Sequence, residues 1–193
     1  MRIVCLGDSL TYGYMVPRKD TWVSHVGREY GKHELINKGI NGDTSGGMLA
    51  RLQEDVIKQQ AQMAIIMGGS NDIIMRCGIS QCRANCMAMV NQLVYHKIKP
   101  VLGIPTLIDE NSLIEEWAWM TDAKEANKQL REYRKWILDF CKIYKIEYID
   151  FQHTIEAEGQ KDIYLDGLHL NKKGHHVMAE KVLNFFNERN KQI

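Results

Sequence analysis

Long hydrophobic runs are missing from this 193-residue chain. Its longest apolar stretches, such as Met63 to Met67, fall far short of the ~20 residues that a membrane-spanning helix needs, so no membrane insertion is expected. Net charge is nearly absent as well, +1 from 25 basic and 24 acidic residues, which selects no nucleic-acid partner by bulk charge. With only three prolines, no low-complexity tract and no internal repeat, neither a linker nor a second domain has support, and one domain over residues 1–193 is expected. Paired CxxC spacing is lacking too: Cys5, Cys77, Cys82, Cys86 and Cys141 make an odd set that argues against a disulfide framework. Cys82 and Cys86 would share one side of a helix, either as metal ligands or as packed thiols. A structural zinc wants four closely spaced ligands, so packing is the expectation, with no metal and no cofactor. After Arg2 only Ile3 to Leu6 is apolar before polar residues begin, too short for the apolar part of a secretory signal, and a cytoplasmic protein is expected.

What the chain does have is a 45% hydrophobic content, enough at this length to bury a core without staples. Short apolar, partly β-branched runs lie at Arg2 to Leu6, Glu34 to Asn37, Met63 to Met67, Pro100 to Ile104 and Glu147 to Ile149. Between them, apolar residues recur at three- to four-residue spacing near Thr21 to Tyr30, Gly46 to Gln60, Gln81 to His96, Lys124 to Tyr144 and Lys172 to Asn190. Strand alternating with amphipathic helix predicts an α/β fold, a five-stranded parallel sheet covered on both faces as a three-layer α/β/α sandwich.

Chemistry in such sheets sits at the carboxyl ends of the strands, where helices begin and their amides face the crevice. Three polar, glycine-rich loops fall there: Gly7-Asp8-Ser9 after the first run, Lys38 to Thr44 after the second, and Gly68-Gly69-Ser70-Asn71-Asp72 after the third. Ser9 reads either as an N-cap or as a nucleophile. Asp166-Gly167-Leu168-His169 brings a carboxylate and an imidazole within one turn of chain. That pair can hold one tautomer and leave the far ring nitrogen to accept a proton from a serine hydroxyl, or it is simply a loop Asp beside a packed His. Gly42 offers an open amide and Asn71 a side-chain NH2, donors suited to an oxyanion, although glycine and Asn-Asp also suit ordinary turns. Conjunction favours catalysis, because nucleophile, base, orienter and donors all stand at loops that the sheet would gather. Asn171 is expected to cap the last helix, and Asp8 and Asp72 to brace loops by hydrogen bonds.

Gly7-Asp8-Ser9-Leu10, Gly42, Gly69-Ser70-Asn71-Asp72 and Asp166-Gly167-Leu168-His169 resemble, in order and rough spacing, the four sequence blocks of the SGNH or GDSL hydrolases. The stretch from Asn37 through Asn41 to Ser45 and on to Leu49-Ala50-Arg51-Leu52 looks like the bacterial thioesterase, lysophospholipase and arylesterase branch. The resemblance implies a flavodoxin-like sandwich, Ser9 as nucleophile, His169 as base and Asp166 as its orienter. It implies an oxyanion hole from the amides of Ser9 and Gly42 and the side chain of Asn71, and a small-molecule acyl ester or thioester as substrate. One departure from many relatives is Leu170, where proline follows the histidine.

The segment 105–122 is irregular and carries Trp117 and Trp119, which would either line the substrate pocket, as a wall or a short lid helix, or plug the core. Two rivals to a plain esterase or thioesterase remain: a carbohydrate O-acetyl esterase using the same residues, with the tryptophans stacking on sugar, and a non-catalytic phosphate or nucleotide binder. The second is opposed by the lack of both G-x-G-x-x-G after the first strand and a P-loop lysine.

Overall fold

Strands β1 (Arg2–Gly7), β2 (Glu34–Gly39), β3 (Met63–Met67), β4 (Lys99–Ile104) and β5 (Glu147–Asp150) form one parallel sheet in the order β2-β1-β3-β4-β5. They do so in a computed structural model that describes residues 1–31, 33–159 and 162–190. This is the flavodoxin-like strand order, and the direction of winding reverses between β1 and β3. Helices cover both faces, so an inner strand must be apolar on both sides; β3 is buried at every position, whereas the edge strand β2 is half-buried over most of its length.

Side-chain alternation splits each strand between two cores. Val4, Leu6, Ala64, Ile66 and Leu102 face α3 (Ser45–Leu52), α5 (Ile79–Tyr95) and α7 (Ala123–Tyr144), packing on Met48, Leu52, Met89, Leu93, Leu130 and Ile137. Ile3, Cys5, Met63, Ile65 and Val101 face α2 (Trp22–Glu29), α8 (Phe151–Ala157) and α9 (Lys172–Asn190), packing on Trp22, Val26, Phe151, Met178 and Val182. Helix starts follow local chemistry. Thr21, Thr44 and Asp122 cap α2, α3 and α7 by accepting amide hydrogen bonds, and Asn171 does the same for α9 through Lys173 N and Gly174 N. Cys82 and Cys86 pack with Cys141 in the first core, where burial pushes both thiols up to about 12 and keeps them protonated.

The single helix expected over Gly46 to Gln60 is instead α3 followed by a π-helical turn, Gln53–Ile57, closed by Lys58 N donating to Gln53 O at 2.9 Å. That widened turn carries Asp55, whose carboxylate pairs with Lys38 and Arg51. Three short helices, α1 (Ser9–Tyr12), α4 (Ser70–Ile74) and α8, have no counterpart among the helical stretches read from the sequence, because one or two turns are too few to display a helical period, while α6 (Glu115–Met120) is a short helix within 105–122, as one reading of that segment had it. Among the described residues no helix is long and apolar enough to cross a membrane.

Candidate active site

The end of β1 runs straight into α1. Asp8, not Ser9, is the N-cap, its Oδ1 accepting from Leu10 N at 2.9 Å. Ser9 is therefore the first helical residue, and its amide is one of the N–H groups that a helix start leaves without an intrahelical partner. Its hydroxyl lies 3.1 Å from His169 Nε2. The other ring nitrogen, His169 Nδ1, lies 2.8 Å from Asp166 Oδ2. The second carboxylate oxygen, Asp166 Oδ1, accepts from the amides of Leu168 at 3.0 Å and His169 at 2.7 Å, so the Asp-x-x-His turn is tied to its own acid. Trp117 Nε1 donates to Asp166 Oδ2 at 2.8 Å as well. Burial pushes the Asp166 carboxyl upward, but the hydrogen bonds from the His169 ring and amide and from Trp117 outweigh it and hold the group at about 2. An ionised acid on Nδ1 fixes the proton there and leaves Nε2 bare toward the serine.

The imidazole is clamped between aromatic rings, Tyr14 at 4.4 Å between centroids and Trp117 at 5.4 Å. Ser9, Gly42, Asn71 and His169 line one cavity of about 100 Å³, whose remaining wall is mainly apolar: Ile74, Met75, Trp117, Met120 and Leu168. Gly42 takes φ +75°, and an added Cβ would touch nothing, so it is backbone conformation rather than crowding that calls for glycine. Asn71, in the first turn of α4, donates through Nδ2 to Asp43 O at 2.8 Å, which uses one of its two N–H groups.

Of the residues singled out from sequence, Ser9, Gly42, Asn71, Asp166, His169 and Trp117 come together. Trp119 does not: it is 89% exposed and takes no part in lining the cavity. The reason is helical geometry, since residues two apart on α6 point to different sides.

Side chains outside the cavity hold these loops in register; Asp72 was expected to brace a loop, whereas Arg51, Ser45 and Asn85 were given no such role. Arg51 donates to Asp43 Oδ2 (2.7 Å), Asp55 Oδ2 (2.8 Å), Lys38 O (2.8 Å) and Gly7 O (2.9 Å), tying the ends of β1 and β2 to the loop that carries Gly42. Asp72 accepts from both the amide and the hydroxyl of Ser45, and Asn85 donates to that hydroxyl at 2.9 Å. Arg51 stood in a recognised motif, but nothing in its spacing specifies four partners from four segments. Tyr14 carried no signal at all.

Asp8 has an unusual environment. Its Oδ2 is buried with no hydrogen-bond partner among the described residues, and burial pushes the carboxyl up to about 7. A raised carboxyl favours the protonated folded state, so the folded state gains below the ordinary carboxylate range, and that gain is lost as pH rises toward 7. Asp8→Asn keeps the capping oxygen and removes the charge. The variant should be more stable than the parent near pH 8, by a margin that shrinks on going to about pH 4 in urea melts. An equal margin at both pH values would show that Asp8 does not titrate in this range. His175 is likewise buried, and burial, with a smaller contribution from His169, pushes it down to about 4; its Nδ1 accepts from Trp22 N at 3.3 Å.

The fold and these contacts together define a class, flavodoxin-like α/β/α proteins that carry a hydrogen-bonded serine, histidine and aspartate at the carboxyl edge of the sheet. The chain belongs to the GDSL-like lipase/acylhydrolase family, whose model matches residues 5–177. It is 27% identical over 212 residues to the uncharacterized lipoprotein YqeF of Bacillus subtilis (strain 168), a match covering 93% of this chain and 87% of that one. A shorter match, 35% identical over 75 residues, joins it to an arylesterase of Vibrio mimicus, with 37% of this chain and 38% of that one covered. Among solved structures it is similar to a member of the lipolytic protein G-D-S-L family from Veillonella parvula DSM 2008, with a TM-score of 0.82, 25% identity, and 97% and 98% of the two chains covered.

Proposed function

We propose that the protein is a serine esterase acting on esters or thioesters of short acyl groups, through an acyl-enzyme formed on Ser9. The observation that carries this reading is the continuous chain from Ser9 Oγ through His169 (3.1 Å) to Asp166 (2.8 Å), opening on a cavity that also holds Gly42 and Asn71. In this reading His169 Nε2 takes the Ser9 proton as Oγ attacks the acyl carbonyl carbon. The amides of Ser9 and Gly42 and the free N–H of Asn71 receive the oxyanion. The imidazolium then returns its proton to the departing alcohol or thiol, and a water activated by the same nitrogen releases the acid. Asp166 stays ionised throughout and stabilises the imidazolium.

Pocket chemistry supports an acyl rather than a sugar occupant. Beyond the catalytic groups only Tyr14 and Asn41 bring polar atoms to a wall otherwise made by Ile74, Met75, Met120 and Leu168; Trp117 is engaged with Asp166 and Trp119 points elsewhere, so no pair of tryptophans forms a stacking platform. A cavity of about 100 Å³ is smaller than the roughly 150 Å³ apolar cavity that admits a benzene ring, which suits short acyl groups of fewer than about six carbons. The test is hydrolysis of p-nitrophenyl esters from acetate to dodecanoate. The expected result is a kcat/KM optimum within the short esters and a fall beyond them of about tenfold or more; an optimum at long chains would overturn the short-acyl assignment. Preference for acetylated sugars over all simple esters would move the assignment to the carbohydrate esterase.

A further inference from the structure

The segment leading into α6 is stitched to the loop that carries the acid. Tyr164 donates its hydroxyl to Leu107 O at 2.6 Å, Asp109 N donates to Gly167 O at 2.8 Å, and Ile114 N donates to Asp166 O at 3.2 Å. Gly167 takes φ +82°, and a Cβ there would collide with the backbone of Leu113. The 109–114 chain therefore lies directly on the Asp166–Gly167 peptide. One turn later Trp117, half-buried on an otherwise exposed helix, reaches back to the same acid. Its Nε1 and His169 Nδ1 converge on a single oxygen, Asp166 Oδ2, which has two lone pairs to receive them. Its ring meets the imidazole edge to face, 5.4 Å between centroids and 66° between planes. The same ring is a wall of the acyl cavity, as is Met120 at the i+3 position of α6.

Resting on the serine-esterase reading, we propose that Trp117 is a positioning residue that couples acyl binding to alignment of the base. Its indole N–H fixes the carboxylate of Asp166 and its ring fixes the plane of His169, while its outer face receives the acyl group. An acyl group that fills the cavity presses on the indole and holds both contacts closed; one that leaves it empty does not. Selectivity between acyl chains then falls mainly on kcat, since the contact is made when the base must be in line.

Trp117→Phe isolates the N–H, because it keeps an aromatic ring of similar reach. Asp166 then has one donor fewer on Oδ2, and the carboxylate that orients the imidazole is less firmly held. The expected result is a fall in kcat of about tenfold with KM little changed. Trp117→Ala should also move the chain-length optimum toward longer esters, because it enlarges the cavity. A Trp117→Phe enzyme with the parent's kcat would overturn the proposal, as would a loss confined to KM. Labelling by an organophosphonate separates this from failure of the underlying reading. Modification at Ser9 in both parent and variant, with unchanged kinetics, sinks only the role of Trp117, whereas labelling elsewhere sinks the nucleophile assignment. Proton NMR of the imidazole Nδ1–H guards against a folding artefact: the signal should persist in the variant but exchange faster, and an unaltered signal counts against the coupling.

Discussion

Ser9→Ala should lower kcat for the preferred ester by about 10⁴- to 10⁶-fold and leave the fold intact. The size of the effect follows from the role proposed for the hydroxyl, whose Oγ is the only atom of Ser9 that would form a bond to substrate. The oxyanion donors would remain, so the residual rate should still exceed that of water. Stability should hardly change, because the cap of α1 belongs to Asp8 and the Ser9 amide survives the substitution. The measurement pairs steady-state hydrolysis with a thermal melt. A variant that keeps more than about a tenth of parental kcat would remove Ser9 from the mechanism, and a large loss of stability would mean that the lost activity reports folding rather than chemistry.

Asp166→Asn should cost about 10⁴-fold in kcat, nearly as much as removing the nucleophile. Asparagine can keep its oxygen on the amides of Leu168 and His169, so the turn is preserved. Its NH2 then takes the place of Oδ2, facing His169 Nδ1 and Trp117 Nε1 at once. A donor opposite Nδ1 selects the tautomer with the proton on Nε2, which cannot accept from Ser9, and a donor opposite the indole N–H repels it. Part of the activity should return at alkaline pH, where solvent base competes for the serine proton. A drop of less than tenfold at neutral pH would mean that Asp166 does not set the tautomer.

Most of the scaffold was readable in advance, for a physical reason. The inner strands β1, β3 and β4 are buried on both faces over nearly all their length, and their apolar runs stand out between amphipathic stretches. The residues that gather at the cavity were also visible, since Ser9 and Asn71 follow β1 and β3, the two strands flanking the point where the winding reverses. What escaped was short or non-local. A two-turn helix such as α6 has no period to detect, and without its axis Trp117 and Trp119 could not be told apart. At the first loop the N-cap alternative for Ser9 gave way to Asp8, whose bracing hydrogen bond is the cap itself, and Ser9 occupies the first turn.

Sequence by itself determined the alternation of strand and helix, the family, and the order in which serine, glycine, asparagine, aspartate and histidine meet the carboxyl edge of the sheet, because periodicity and loop chemistry are local properties of a chain. Only the tertiary structure decided which partners those residues take. Trp117 reaches the carboxylate of Asp166, 49 positions along the chain, to share an oxygen with His169, and Arg51 reaches Gly7, 44 positions away. Such contacts depend on how helices pack over a twisted sheet, a property of the assembled layers that no window of sequence contains.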